Sequence, residues 1–154
     1  MGNICRSPTA EGVMRGLLRE EGLEDVVEVD SAGTGDWHVG SPPDARATAA
    51  ARARGVTLAG AARQITAADF GDYDLILAAD RRNLRDLQAI DTVPTHPQAK
   101  LRLLREFDPA SADAGDLDVP DPYYGGDEGF EHVLDLVEAA CRGLLDALRA
   151  DGRL

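Results

Sequence analysis

The sequence predicts an α/β layered domain, with parallel strands joined by helical crossovers. Three observations carry that prediction. Apolar residues alternate along the chain between a helix-like and a strand-like period. The continuous apolar run Asp74-Leu75-Ile76-Leu77-Ala78-Ala79 leads at once into a helical stretch. The chain then closes with a long helix that is apolar on one side. No internal repeat or low-complexity linker breaks the pattern, and 154 residues with 44% hydrophobic content fit one domain spanning residues 1–154.

The elements follow in order. Ala10, Val13, Met14, Leu17 and Leu18 recur at i, i+3, i+4, i+7 and i+8, which makes one helical stripe. Ser7 and Pro8 suit its N-cap and first position, and Gly22 suits its end. Val26 to Ser31 reads as a strand ending in Ala32-Gly33-Thr34, and Asp44 to Arg54 as an alanine-rich helix closed by Gly55. After the run 74–79, Asp80 bounds a helix from Arg81 to Gln88, and Leu101, Leu103 and Leu104 mark a further strand. The last helix, about Asp127 to Arg149, aligns Phe130, Val133, Leu134, Val137, Cys141, Leu144, Leu145 and Leu148, so Cys141 reads as core. Before it, Ser111 to Asp127 forms an acidic, glycine- and proline-containing loop of the long kind that often carries function.

Composition narrows the function. A formal net charge of -12 and a pI near 4.5 repel nucleic acid and anionic lipid, so neither is expected as a partner, and an anionic ligand needs a local positive pocket. No apolar run reaches the length of a membrane span and no signal-like N-terminus is present, which points to the cytoplasm. Cys5 and Cys141 are too few for a disulfide framework, and His38, His96 and His132 stand singly, so no metal is expected.

The start of the chain, Met1-Gly2-Asn3-Ile4-Cys5-Arg6-Ser7-Pro8, sets a glycine-containing loop before a helix N-terminus. Free N–H groups and the helix dipole favour an anion there, and the Arg6 guanidinium offers paired donors to two phosphate oxygens. Gly2 to Ser7 is identical to part of the signature Cys-x-Gly-Asn-x-Cys-Arg-Ser, and in this the chain resembles the low-molecular-weight protein-tyrosine phosphatases. Asp121-Pro122-Tyr123-Tyr124 is similar to that family's acid loop, and Asp36 to Asp44, with Trp37, to its entrance loop. Ser31-Ala32-Gly33-Thr34, Ala62-Arg63-Gln64-Ile65 and Asp80 with Asn83-Leu84-Arg85-Asp86-Leu87 resemble further landmarks in the family's order, so the likeness spans nearly the whole chain.

The resemblance implies a three-layer fold with a parallel four-stranded sheet and helices on both faces, its first strand missing from this chain. It implies a hydrolase that removes phosphate from phosphotyrosine in a protein substrate through a cysteinyl-phosphate, as a monomer without metal or organic cofactor. Gly2, Asn3, Ile4, Cys5, Arg6 and Ser7 would bind the phosphate, Arg6 and Asp121 would be catalytic, and Met1, Trp37, Tyr123 and Tyr124 would form the substrate rim. Ser31 would join Asn3 and Ser7 in holding the loop in shape. Counting Cys-x5-Arg back from Arg6 puts the nucleophile immediately before Met1, whereas from Cys5 the spacing reaches Glu11. The chain is therefore expected to be truncated at its start, to fold poorly and to be inactive as written, because an apolar strand is worth about 1.5 to 3 kcal/mol per buried side chain.

A phosphoarginine phosphatase of the same fold carries threonine where this chain has Ile4, and the bulky aliphatic side chain favours phosphotyrosine. A pseudophosphatase that binds phosphate without reacting is the other alternative. Arsenate reduction by a disulfide relay is disfavoured, because only Cys141 remains for it. Two departures from the family are Gly60, where many members have a histidine bonded to the loop asparagine, and Ala79, where methionine is common.

Overall fold

The computed structural model describes residues 2–91 and 101–154, so Met1 and His96 lie outside the described residues. The described elements are α1 (Arg6–Glu20), α2 (Ala45–Ala53), α3 (Asp69–Asp72), β1 (Ile76–Ala78), α4 (Arg81–Ile90), β2 (Leu101–Leu103), a 3-10 turn (Leu104–Phe107), α5 (Pro109–Ala114) and α6 (Asp127–Ala150). β1 and β2 pair in parallel, Ile76 with Leu101 and Ala78 with Leu103, and α4, which falls between them in the chain, packs against both. That is an α/β fold. Among the described residues the ladder has two strands, with a separate parallel bridge between Gly33 and Gln64.

α6 is the spine of the core. Acidic Asp127 and Glu128 in its first turn and Arg149 in its last complement its dipole, and its apolar side buries Phe130, Val133, Val137, Cys141 and Leu144. It packs on α1, α2 and the 3-10 turn. Gly143 lets the 3-10 turn approach closely, since a Cβ there would lie 1.8 Å from the Phe107 carbonyl oxygen. α1 contributes Val13, Met14, Leu17 and Leu18 to the same core, as its stripe predicts. It ends at Glu20, and Gly22 follows with a φ of 68°.

Several boundaries differ from expectation. α1 starts at Arg6 with Cys5 as N-cap, rather than capping at Ser7. Pro8 still falls in the first turn, where a missing N–H costs nothing. The run 74–79 forms ladder bonds only over β1, α4 continues to Ile90, and Leu104 enters the 3-10 turn. Ser111 belongs to α5 rather than to a loop, because Asp108 caps that helix through the Ala110 N–H and Pro109 takes its first position.

Val26 to Ser31 is the larger correction: among the described residues it joins no ladder. The N–H groups of Val26 and Val27 both donate to the Leu23 carbonyl and close a turn. A strand needs an edge to pair with, and the space beside this segment is a cavity of about 420 Å³ lined by Val27, Val29, Leu75, Leu77, Met14 and Val137. Apolar side chains from α1, α6, the run 74–79 and the segment 26–30 thus line a common slot.

Candidate active site

The loop 2–7 is built around Asn3, whose φ of 61° lies in the left-handed region that asparagine tolerates better than most residues. Its side chain is tied on every side. Nδ2 donates to Ser7 Oγ at 3.1 Å and to Ser31 Oγ at 3.0 Å, and Oδ1 accepts from the Arg63 N–H at 3.1 Å. Ser31 Oγ in turn donates to Glu11 at 2.7 Å, and Arg15 pairs with Glu11 at 2.9 Å. With glycine at position 60, Asn3 Oδ1 is instead supported by the Arg63 backbone, and Gly60 itself takes a φ of 88° that suits glycine. Ile4 is fixed through its carbonyl, which accepts the Asp44 N–H at 2.7 Å.

Cys5 is 6% exposed. Burial first, then the charges of Asp44 and Asp121, push its thiol up to about 12, so it stays protonated and unreactive near neutrality. Its carbonyl accepts the Thr9 hydroxyl at 2.7 Å, which places it as the helix cap. Gly2 lies under the entrance loop, where a Cβ would come within 2.3 Å of the His38 ring.

Arg6, also 6% exposed, anchors its guanidinium below the loop. Nη1 donates to Asp80 Oδ2 at 2.6 Å and to the Val119 carbonyl at 2.7 Å, and Nη2 to Asn83 Oδ1 at 3.3 Å. Asp80 caps α4 by accepting the Asn83 N–H at 2.7 Å. Burial pushes its carboxyl up, but the hydrogen bond from Arg6, that N–H and the Arg6 charge together bring it below the ordinary aspartate range. Asn83 is 95% buried by its 5% exposure, and its Nδ2 has no partner among the described residues. That leaves an uncommitted donor in the lining of the cavity above Arg6.

That cavity, about 200 Å³, is bordered by Gly2, Asn3, Ile4, Cys5, Arg6 and Ser7 on one side. Trp37, Asp121, Tyr123 and Tyr124 border it as well. Every described residue that the sequence nominates for the site thus lines one space, and Met1 lies outside the described residues. Trp37 is 62% exposed and Tyr124 94%, so both stand at the mouth. Asp121 is exposed, with Pro122 buried behind it, and its Oδ1 accepts the Tyr123 N–H at 3.1 Å, which directs the carboxylate.

Sequence reasoning missed His38, whose ring meets that of Tyr123 at 5.9 Å, and Arg46, which bonds to the loop carrying Asp121. His38 falls inside the entrance-loop segment Asp36 to Asp44 with no role assigned to it, and Arg46 stands in no motif. In the structure Asp44 caps this end of α2 and helps to hold it in place.

Among the described residues no group of three His, Cys, Asp or Glu is placed to hold a metal ion, and no helix is long and apolar enough to cross a membrane. A loop of backbone donors at a helix start, an arginine beneath it and a carboxyl at the mouth define an enzyme site for an oxyanion on an α/β fold. Residues 1–154 match the family described as low molecular weight phosphotyrosine protein phosphatase. The chain belongs to that family, and by membership it is an enzyme.

It is 52% identical over 149 residues to the low molecular weight protein-tyrosine-phosphatase of Streptomyces coelicolor, covering 96% of this chain and 89% of that one. Among solved structures, a protein tyrosine phosphatase from Entamoeba histolytica with Hepes in the active site superposes with a TM-score of 0.89 at 35% identity, covering 100% of this chain and 95% of that one. A Drosophila arginine phosphatase superposes with a TM-score of 0.87 at 33% identity, covering 96% and 92%.

Proposed function

We propose that this chain, joined to a segment that places a cysteine immediately before Met1, hydrolyses phosphotyrosine in proteins. In this reading residues 1–154 are one domain acting as a cytoplasmic monomer, without metal or cofactor. The observation that carries it is the convergence of the loop 2–7, Arg6 and Asp121 on one cavity of about 200 Å³ with aromatic rings at its mouth.

The thiolate attacks phosphorus, and the bond to the tyrosine oxygen breaks. Asp121 protonates the departing phenolate, while the loop N–H groups and Arg6 hold the equatorial oxygens. Water then attacks the phosphocysteine, Asp121 takes its proton, and the thiolate and inorganic phosphate are released. The neutral state of Cys5 supports assigning the attack to another thiol.

The apolar slot of about 420 Å³ supports the position of that thiol. It lies between the segment 26–30 and the run 74–79, and it shares Arg6 and Ser7 with the smaller cavity. An extended apolar segment leading up this slot into the loop would pair with both flanks. The sheet would then have four strands, and the chain lacking that segment would be inactive.

Phosphotyrosine is preferred over phosphoarginine because Ile4, half-buried in the cavity lining, offers an apolar wall to an aromatic ring. The test compares a phosphotyrosine and a phosphoarginine peptide with the full-length protein. We expect a larger kcat/KM for phosphotyrosine. Faster phosphoarginine turnover assigns the chain to the second substrate, and binding of phosphate without turnover of either peptide makes it a pseudophosphatase.

A further inference from the structure

We propose that Arg46 is a positioning residue for the proton donor, acting on Asp121 through the backbone of Tyr123; this rests on the reading of Asp121 as the acid. Arg46 lies in the first turn of α2. Asp44, the cap of that helix, accepts the N–H groups of Arg46 and Ala47 at 2.8 and 3.2 Å. It also accepts from the Arg46 guanidinium, Nε to Oδ1 at 3.4 Å and Nη2 to Oδ2 at 3.3 Å. The Phe130 ring of α6 lies against the same guanidinium, 4.8 Å from its centroid. The group is thereby pinned between a carboxylate and an aromatic face.

From that fixed place it reaches the acid loop. Nη2 donates to the Tyr123 carbonyl at 2.7 Å and Nη1 to the Gly125 carbonyl at 3.3 Å. Tyr123 is also the residue whose N–H donates to the Asp121 carboxylate. One peptide unit is therefore held at its oxygen by Arg46 while its neighbouring N–H aims the acid. The Asp44 N–H donates to the Ile4 carbonyl of the phosphate loop, so the same cap sets the acid loop relative to the bound phosphate. The planar guanidinium presents donors from fixed positions to two carbonyls and a carboxylate at once, a geometry that the single point charge of lysine does not reproduce.

The proposal separates a chemical role from a merely structural one by leaving-group dependence. Phenyl phosphate needs a proton on its departing oxygen, whereas 2,4-dinitrophenyl phosphate does not. In the full-length protein carrying the upstream cysteine, Arg46→Ala should lower kcat/KM for phenyl phosphate by about tenfold or more and for 2,4-dinitrophenyl phosphate by less than about twofold. Arg46→Lys should fall between, with the same selectivity, and it serves as the test should the alanine variant fold badly. Inhibition by inorganic phosphate should be unchanged within about twofold, because the anion loop is untouched. Added to Asp121→Asn, Arg46→Ala should cause no further loss on phenyl phosphate.

An equal loss on both substrates, or a full further loss in the Asp121→Asn background, would overturn the proposal. If Asp121→Asn itself shows no leaving-group selectivity, the reading of Asp121 as the acid fails, and the role of Arg46 fails with it.

Discussion

The two loops that meet at the cavity are held in opposite ways. The phosphate loop is locked from within: Asn3 is buried at a φ of 61°, and its amide is committed to Ser7, Ser31 and the Arg63 backbone. The acid loop is exposed at Asp121 and Tyr124, and the exposed guanidinium of Arg46 clasps it from outside. A dianion that must be gathered before reaction calls for donors already in place, whereas a proton donor needs only correct aim at the moment the bond breaks. Substitutions in the first loop should therefore cost folding and binding together, and those around the second should cost rate.

The sharpest break of this contrast is Asn3→Ala. It forces alanine into the left-handed region and strips the hydrogen bonds from Ser7, Ser31 and Arg63, so a loss of about 3 kcal/mol is expected in urea unfolding. Asn3→Gly relieves the backbone part and should recover about 1 kcal/mol of that loss. A stability unchanged by either substitution would show that the inner lock is not needed.

Asp80→Asn comes next. It leaves the buried Arg6 without its counter-charge, and because Asp80 is partly exposed the cost should be about 2 kcal/mol rather than the larger figure for a fully buried pair. The Asp80 carboxyl titrates below its ordinary value of about 3.9. Its stabilisation is therefore full above that value and fades as pH falls through the lower folded-state value. Urea midpoints of the parent and Asp80→Asn proteins should thus converge as pH drops from 6 to 3, and a gap independent of pH would contradict the ion pair. The smallest effect belongs to the mouth: Trp37→Ala should change stability by less than about 0.5 kcal/mol while raising KM for an aromatic phosphate ester.

Elements governed by local signals were legible in the sequence. The stripes of α1 and α6, the alanine-rich run from Asp44 and glycines 22 and 55 placed three helices to within a few residues. Ser111 to Ala114 reads as loop because the signals of α5, a cap aspartate and a proline, are short and lie ahead of an acidic stretch. Val26 to Ser31 has strand-like composition, yet a ladder depends on a partner edge that periodicity does not supply.

The site residues inside recognisable motifs, Gly2 to Ser7 together with Asp121, Tyr123 and Tyr124, all line the cavity. Arg46 and His38 were invisible because their roles come from contacts with Tyr123, far away in sequence. Asn83 stands in a family landmark, but its Nδ2, without a partner among the described residues, becomes evident only once the fold packs its Oδ1 against Arg6.

The identity of the attacking atom is tested most directly by rapid quench, with a phosphotyrosine peptide, of the chain joined to the proposed cysteine-bearing segment, followed by mass analysis of its fragments. The account predicts a phosphate on the cysteine next to Met1, undiminished by Cys5→Ser, and none on any fragment of the chain that starts at Met1. Phosphate on Cys5, or equal turnover by the chain without that upstream cysteine, would contradict it.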